Sequence, residues 1–257
     1  MLKIASWNVN GIRACAKSGF VNWFKKARPD ILALQEVRAS EDQIPEELHQ
    51  VKGYSSEWFP AISKKGYSGV ALLSRKPFKK VLRGLGEEAF DNEGRVITGI
   101  LDDLVVVSAY FPNSQDKGKR IDYKIAYCQA IHKFVDRLRI EEKKPVILTG
   151  DFNIAHQEVD LARPNDNHHS PGFLPREREW MDEFIASGWV DSFRKLHPKA
   201  TDRYSWWSAR TRARDRNIGW RIDYHCLHSD DLKFLKSADI KDDVMGSDHC
   251  PVTLTLV

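Results

Sequence analysis

Short apolar runs recur along the chain, each closed by glycine, proline or a polar residue. They predict strands over Leu2–Trp7, Ile31–Gln35, Tyr54–Phe59, Gly69–Ser74, Val96–Leu101, Leu104–Tyr110, Val146–Thr149, Ile222–Leu227 and Val252–Val257. The apolar run Pro145-Val146-Ile147-Leu148-Thr149 reads as a buried strand. Helical periodicity takes over in three places: Phe20–Ala27, Arg120–Glu142 and Glu177–Ser187. In the second of these, Ile121, Ile125, Cys128, Ile131, Val135 and Leu138 form one stripe, and Gly188 is a natural stop for the third. Asp102-Asp103 reads as a turn joining two neighbouring strands. No linker, repeat or low-complexity tract interrupts the pattern. The economical reading is a single α/β domain over residues 1–257, with two β-sheets packed together and helices outside.

Composition narrows the class. The chain has 257 residues, 42% of them hydrophobic and 11% aromatic, enough for a substantial core. A net charge of +4 is compatible with a polyanionic partner without requiring one. Cys15, Cys128, Cys226 and Cys250 are too scattered for a zinc site or a disulfide scaffold and read as reduced core thiols. The N-terminus runs directly into strand-like sequence, and no stretch of about 20 apolar residues occurs, which predicts a protein that is neither secreted nor membrane-bound. The expectation is a soluble cytoplasmic monomer.

The predicted strands end in chemistry-bearing side chains. Asn8 and Asn10 follow the first strand, Glu36 the second, and Tyr110 closes Val105-Val106-Val107-Ser108-Ala109. Gly150-Asp151-Phe152-Asn153 follows Val146–Thr149, with a glycine for a sharp turn and two polar residues spaced to share one side. Asp223 and Asp248-His249 complete the set. Each residue alone reads most simply as a cap or a turn, and only their accumulation points to a site. The chemistry they suit is metal-assisted phosphodiester hydrolysis. Glu36 is the candidate oxygen ligand for a hard cation, of which Mg²⁺ is the type. A protonated His249 oriented by Asp223 would bind a phosphate oxygen, and Asp151 steadied by Asn153 would orient or deprotonate the attacking water.

A second constellation lies between Arg203 and Asp223, where three of the eight tryptophans and six arginines crowd together. Arg210, Arg212 and Arg214, at alternate positions, offer guanidinium forks to successive phosphates, while tryptophan faces can receive an extruded sugar or base. A solvated arginine-rich loop over core tryptophans accounts for the segment equally well.

Several motifs occur in order along the chain: Trp7-Asn8-Val9-Asn10-Gly11-Ile12-Arg13-Ala14, Leu34-Gln35-Glu36, Gly66-Tyr67-Ser68-Gly69-Val70-Ala71, Tyr110-Phe111-Pro112-Asn113, Gly150-Asp151-Phe152-Asn153, Gly219-Trp220-Arg221-Ile222-Asp223-Tyr224 and Gly246-Ser247-Asp248-His249-Cys250-Pro251. Together they resemble the exonuclease III family of abasic-site DNA endonucleases, within the endonuclease/exonuclease/phosphatase superfamily, across essentially the whole chain. The resemblance implies a four-layer α/β/β/α sandwich, two mixed β-sheets packed face to face with helices outside. It implies Mg²⁺-dependent cleavage of double-stranded DNA on the 5′ side of an abasic site to leave a 3′-hydroxyl, with some 3′-5′ exonuclease activity and with Mn²⁺ able to substitute. By matching position, Glu36 is the metal ligand, with Asn8 and Asp248 close to the metal or its waters. Asp151, Asn153, Tyr110, Asp223 and His249 are the catalytic set, Asn113 contacts substrate, and Trp206, Trp220 and Ile222 line a pocket for a flipped-out abasic sugar.

Two features depart from the family pattern. Many relatives carry aspartate at the position of Asn10, which makes a one-metal scheme the safer expectation. The loop after Asn113 contains Ser114, Gln115, Asp116 and Lys117, which offer no unambiguous match to the residue that wedges into the duplex, so no wedge residue is assigned. Two rival classes stay open on sequence: a superfamily phosphatase or phosphodiesterase acting on a non-DNA ester such as a phosphoinositide, and a non-catalytic DNA-binding relative. Against the first stands the tryptophan- and arginine-rich segment; against the second, the joint presence of Glu36, Asp151, Asn153, Asp223 and His249.

Overall fold

The computed structural model describes residues 1–257. The strands are β1 (Leu2–Asn8), β2 (Ile31–Gln35), β3 (Ser55–Phe59), β4 (Val70–Ser74), β5 (Lys80–Arg83), β6 (Val96–Ile100), β7 (Val105–Tyr110), β8 (Val146–Asp151), β9 (Trp189–Asp191), β10 (Trp206–Trp207), β11 (Gly219–Trp220), β12 (Asp223–His228), β13 (Leu235–Ile240) and β14 (Val252–Leu256). The helices are α1 (Ile12–Cys15), α2 (Val21–Ala27), α3 (Glu46–His49), α4 (Glu88–Asp91), α5 (Ile121–Glu142), α6 (Pro175–Ala186) and α7 (Ser192–Leu196). Two six-stranded mixed sheets run in the orders β13-β14-β1-β2-β4-β3 and β5-β6-β7-β8-β12-β9, and β10 pairs with β11 in a small ribbon.

Side-chain alternation builds the layers. Val146 and Leu148 of β8 face outward onto α5 and α6, where they join Tyr127, Ile131 and Trp180, whereas Ile147 faces the other sheet and meets Val106 and Leu72. In the first sheet Ile31 and Ala33 point between the sheets, and Leu32 and Leu34 pack against Ile12, Phe20 and Phe24. Both faces of the central strands are therefore covered, which is why they read as unbroken apolar runs. The result is the expected four-layer sandwich. No helix is long and apolar enough to cross a membrane.

Parallel pairing places the site. β1 and β2 are parallel, as are β7 and β8, and each connection passes over helices on the outer face. The carboxyl ends of both pairs consequently meet at one edge of the sandwich. Just below that edge a buried polar pin crosses between the sheets: Gln35 donates to Ser108 Oγ at 3.0 Å and accepts from Ser6 Oγ at 3.2 Å.

Some elements carry no sequence signal. β5, β9 and β13 are short or half-exposed edge strands without a continuous apolar run. The stripe on α5 is also rotated from its expected position. Ile121 and Ile125 are only half-buried, while Lys124, Tyr127 and Phe134 lie inside. All four cysteines are free and buried, as expected.

Candidate active site

Strand register brings the polar residues into a row. Across the second sheet Tyr110 pairs with Asp151 and Asp151 with Asp223, so one line of backbone hydrogen bonding carries three functional groups. Opposite them the first sheet presents Asn8 at the end of β1 and Glu36 just past β2. Gly150 is obligatory here: at φ 141° a Cβ would lie 1.9 Å from the Ala109 carbonyl oxygen on the neighbouring strand. Asn10, Glu36, Arg38 and Asn153 all hold left-handed backbone conformations, with φ of 43°, 49°, 50° and 51°. Such conformations are costly for residues with a Cβ and collect where side chains must be aimed.

Asn8 bridges the sheets. Its Nδ2 donates to Glu36 Oε1 at 3.1 Å and to Asp151 Oδ2 at 2.8 Å, while its Oδ1 accepts from the Asn10 amide at 3.0 Å. Asn153 holds the other side of Asp151, its backbone N–H donating to Oδ1 at 2.8 Å and its Nδ2 lying 3.3 Å from Oδ2. Asn113 donates in turn to Asn153 Oδ1 at 3.1 Å. On the far side His249 Nδ1 lies 2.9 Å from Asp223 Oδ2, which also accepts from Ser205 Oγ at 2.6 Å. The second ring nitrogen, Nε2, points at Asp151 Oδ2 from 3.8 Å. Asp248 accepts from Asn10 Nδ2 at 2.8 Å and from Trp206 Nε1 at 3.0 Å.

Burial makes these charges matter to one another. Desolvation opposes the charged form of His249, yet the carboxylates of Asp223 and Asp151 outweigh it and lift the imidazole to about 10. Desolvation likewise raises Asp151; His249 pulls it down, Asp223 and Glu36 push it up again, and the carboxyl settles at about 7. The pair is thus an imidazolium beside a carboxyl poised near neutrality, a kind of perturbation that clusters at functional sites. Burial pushes the Tyr110 phenol well up, and Glu36 adds to the effect, so it stays a neutral donor. Arg95, itself buried, stacks its guanidinium 4.8 Å from the Tyr110 ring and donates to the Tyr110 carbonyl. Burial raises Asp248 too, but His249, Asn10 and Trp206 bring it below the usual carboxylate range.

A cavity of about 660 Å³ opens over this row. Trp206 and Trp220, register partners in the β10–β11 ribbon, meet edge to face at 6.3 Å, and Ile222 is buried beside them. Asn113, Asn153, Tyr110, Glu36, Asp248 and His249 reach the same cavity. Arg163, Asn167, Ser170 and Gly172 also line it, and they lie outside every predicted strand, helix and motif. Their only signal was a run of turn-forming polar residues ahead of α6. Ser205 and Arg95 were missed as well, because each acts on a functional side chain that is distant in sequence. The arginines divide. Arg210 and Arg212 are exposed and do not line the cavity, Arg212 pairing with Asp215 at 3.0 Å. Arg214 is half-buried and engaged elsewhere: it stacks on Trp207 at 4.5 Å and donates to the carbonyls of Asp242, Val244 and Ser247.

The donor set suits a hard cation. Glu36 Oε2 and Asn10 Oδ1 are buried oxygens with no hydrogen-bond partner, and both residues line the cavity; Arg38 makes an ion contact with the same Glu36 oxygen. Asp151, Asp223 and His249 also have ligand atoms within 4.8 Å of one another and could hold a metal ion.

The model of the endonuclease/exonuclease/phosphatase family matches residues 5–249. The chain belongs to that family. An exodeoxyribonuclease of Bacillus subtilis is 44% identical to it, covering 99% of each chain. The DNA repair nuclease APEX1 of Danio rerio is 41% identical over 99% of this chain and 82% of its own length. Among solved structures, an AP endonuclease from Leishmania major superposes with a TM-score of 0.89 at 30% identity, covering 99% of this chain and 87% of that one.

Proposed function

We propose that the protein is a DNA repair phosphodiesterase that hydrolyses the backbone 5′ to an abasic site and leaves a 3′-hydroxyl, with 3′-5′ exonuclease activity at the same centre. The observation that carries the reading is the direct abutment of the Tyr110–Asp151–Asp223–His249 row on the Trp206–Trp220–Ile222 pocket. Phosphate chemistry alone explains the row, and a substrate with a compact extruded group fits the apolar Trp206–Trp220–Ile222 patch beside it. A deoxyribose lacking its base fills such a pocket, and flipping costs least where stacking is already lost. The names of the relatives, an exodeoxyribonuclease, a DNA repair nuclease and an AP endonuclease, support the same substrate class.

In this reading the scissile phosphate lies between the sheets, bound by the His249 imidazolium and by donors from Asn153 and Tyr110. Asp151, its oxygens fixed by Asn8 and Asn153, orients the water and accepts its proton as the oxygen attacks phosphorus. The P–O3′ bond breaks, the 3′-oxygen takes a proton from a solvent water to become the hydroxyl, Asp151 gives its proton back to solvent, and the phosphate stays on the abasic residue. A Mg²⁺ or Mn²⁺ held by Glu36, with Asn8 and Asp248 beside its waters, would offset the charge that develops on the phosphoryl and leaving oxygens. Arg210 and Arg212 extend the contact along the duplex. A DNA substrate places the work in the DNA-containing compartment.

Duplexes carrying an abasic site, a uracil, a 3′ mismatch or no lesion, assayed with Mg²⁺, test the proposal. Incision 5′ to the abasic site ahead of every other duplex is the expected ranking. Equal rates on all four, or no cleavage of DNA beside turnover of a small phosphate ester, would overturn it.

A further inference from the structure

Lys124 and Glu177 form an ion pair with no solvent exposure at either side chain, 2.7 Å apart, behind the cavity wall. Two buried charges lose several kcal/mol of hydration each, and well-packed apolar side chains of similar size often serve stability equally well or better. The pair therefore calls for a reason other than folding. Its contacts supply one. Lys124 Nζ donates to the Asn153 carbonyl at 2.6 Å, holding that residue by its backbone where φ is 51°. Glu177 Oε1 accepts from Ser114 Oγ at 2.5 Å, next to Asn113, and Oε2 accepts the backbone N–H groups of Gly172 and Leu174 at 2.8 and 2.9 Å. Three loops that form the site, after β7, after β8 and before α6, thus converge on one carboxylate–ammonium pair. Tolerance between them is small, since a Cβ on Gly172 would already lie 3.2 Å from the Asn153 oxygen and 3.3 Å from the Trp220 ring.

We propose that Lys124, Glu177 and Ser114 are positioning residues that fix Asn153 and Asn113 against the Gly172 wall, so that the water-holding side of the site and the sugar pocket keep one separation. The inference rests on the proposed hydrolysis at this centre. The ion pair acts on rate through Asn153, which braces Asp151, and contributes little to folding. Rigid placement of this kind matters because a misplacement of about 1 Å can cost about a hundredfold in rate.

The test is the double variant Lys124→Met/Glu177→Gln, which removes both charges together and keeps an acceptor for Gly172 and Leu174. Its thermal midpoint should stay within a few degrees of the parent. kcat on an abasic duplex should fall about tenfold or more, while Kd for that duplex, measured in chelator, changes by less than about threefold. Amide exchange at Ala155, whose N–H bonds the Gly172 carbonyl at 2.8 Å, should accelerate. An unchanged kcat, or unchanged Ala155 exchange, overturns the proposal. Should the double variant unfold, Ser114→Ala decides: a smaller fall in kcat with unaltered Kd and midpoint sustains the clamp, and parental kcat refutes it. Failure of the parent protein to incise abasic DNA would sink the proposed function, while Ala155 exchange would still report on the clamp.

Discussion

Asp223→Asn removes the charge that keeps His249 cationic while preserving the shape of the side chain. In the parent, burial works against the imidazolium, yet the Asp223 oxygen 2.9 Å from Nδ1, with Asp151 behind, raises the group to about 10. An opposite charge at this range is worth roughly 1–3 pKa units, so its loss should bring the basic limb down by about 2 units. One unit corresponds to about 1.4 kcal/mol of preference for the charged form. The assay is kcat/KM on a synthetic abasic duplex from about pH 6 to about pH 10.5 at constant salt and Mg²⁺. The parent should give a bell, rising through about 7 as Asp151 ionises and falling near about 10 as His249 deprotonates. Both limbs belong to the coupled Asp151–His249 unit. The variant should lose the upper part of its plateau and, wherever His249 is neutral, a further factor of about 10²–10³ from the missing charged donor. Stability follows the same linkage with a definite sign. A histidine raised above its ordinary 6.5 contributes stability that is complete below 6.5 and lost as pH passes about 10. The variant's deficit in thermal midpoint should therefore shrink above that pH. A basic limb that stays within about half a unit of the parent would show that Asp223 does not hold the proton on His249.

Five further variants have expected outcomes. Asp151→Asn should lower kcat by about 10²–10⁴. It should also raise the thermal midpoint above pH 7, because a carboxyl raised to about 7 stabilises the fold only while protonated; a lower midpoint there contradicts the burial argument. Glu36→Gln should weaken Mn²⁺ binding in titration calorimetry, and chelator should stop cleavage by the parent; unaltered affinity removes Glu36 as the ligand. Arg212→Ala should reduce the slope of log Kd against log salt by about one phosphate contact with no change in midpoint. Arg214→Ala should instead lower the midpoint, since its guanidinium ties three carbonyls, and a change confined to the salt slope would return it to the DNA interface. Gly150→Ala should cost several kcal/mol or abolish folding, read by urea denaturation, because its Cβ would overlap the Ala109 carbonyl oxygen; near-parental stability is the refuting result.

Much of the site was legible because strand ends are legible. An apolar run that stops at Asp151, at Tyr110 or just before Glu36 announces both the strand and the group at its tip, and motifs in order supplied the likeness that gave those groups roles. The short edge strands β5, β9 and β13 were not legible, since they are half-exposed or only three residues long and carry no continuous apolar run. Lys124 was the opposite failure. Helical periodicity assigns a lysine to solvent, and nothing local reveals that Glu177, 53 residues away, waits to receive it.

The sequence by itself determined the layers, because burial of alternating and unbroken apolar strands leaves few arrangements other than two packed sheets covered by helices. It also determined which groups could do chemistry, since residue type sets acidity and ligand preference. Tertiary structure alone decided their working states and partners. Only the parallel register puts Tyr110, Asp151 and Asp223 in one row, only the approach of the two sheets sets Asn8 between Glu36 and Asp151, and only burial among carboxylates turns His249 into a lasting cation. Arg212 and Arg214 look equivalent in the chain, yet packing leaves one exposed and engages the other with backbone carbonyls. Electrostatic interaction depends on separation and on excluded water, and both are properties of the folded chain rather than of residue order.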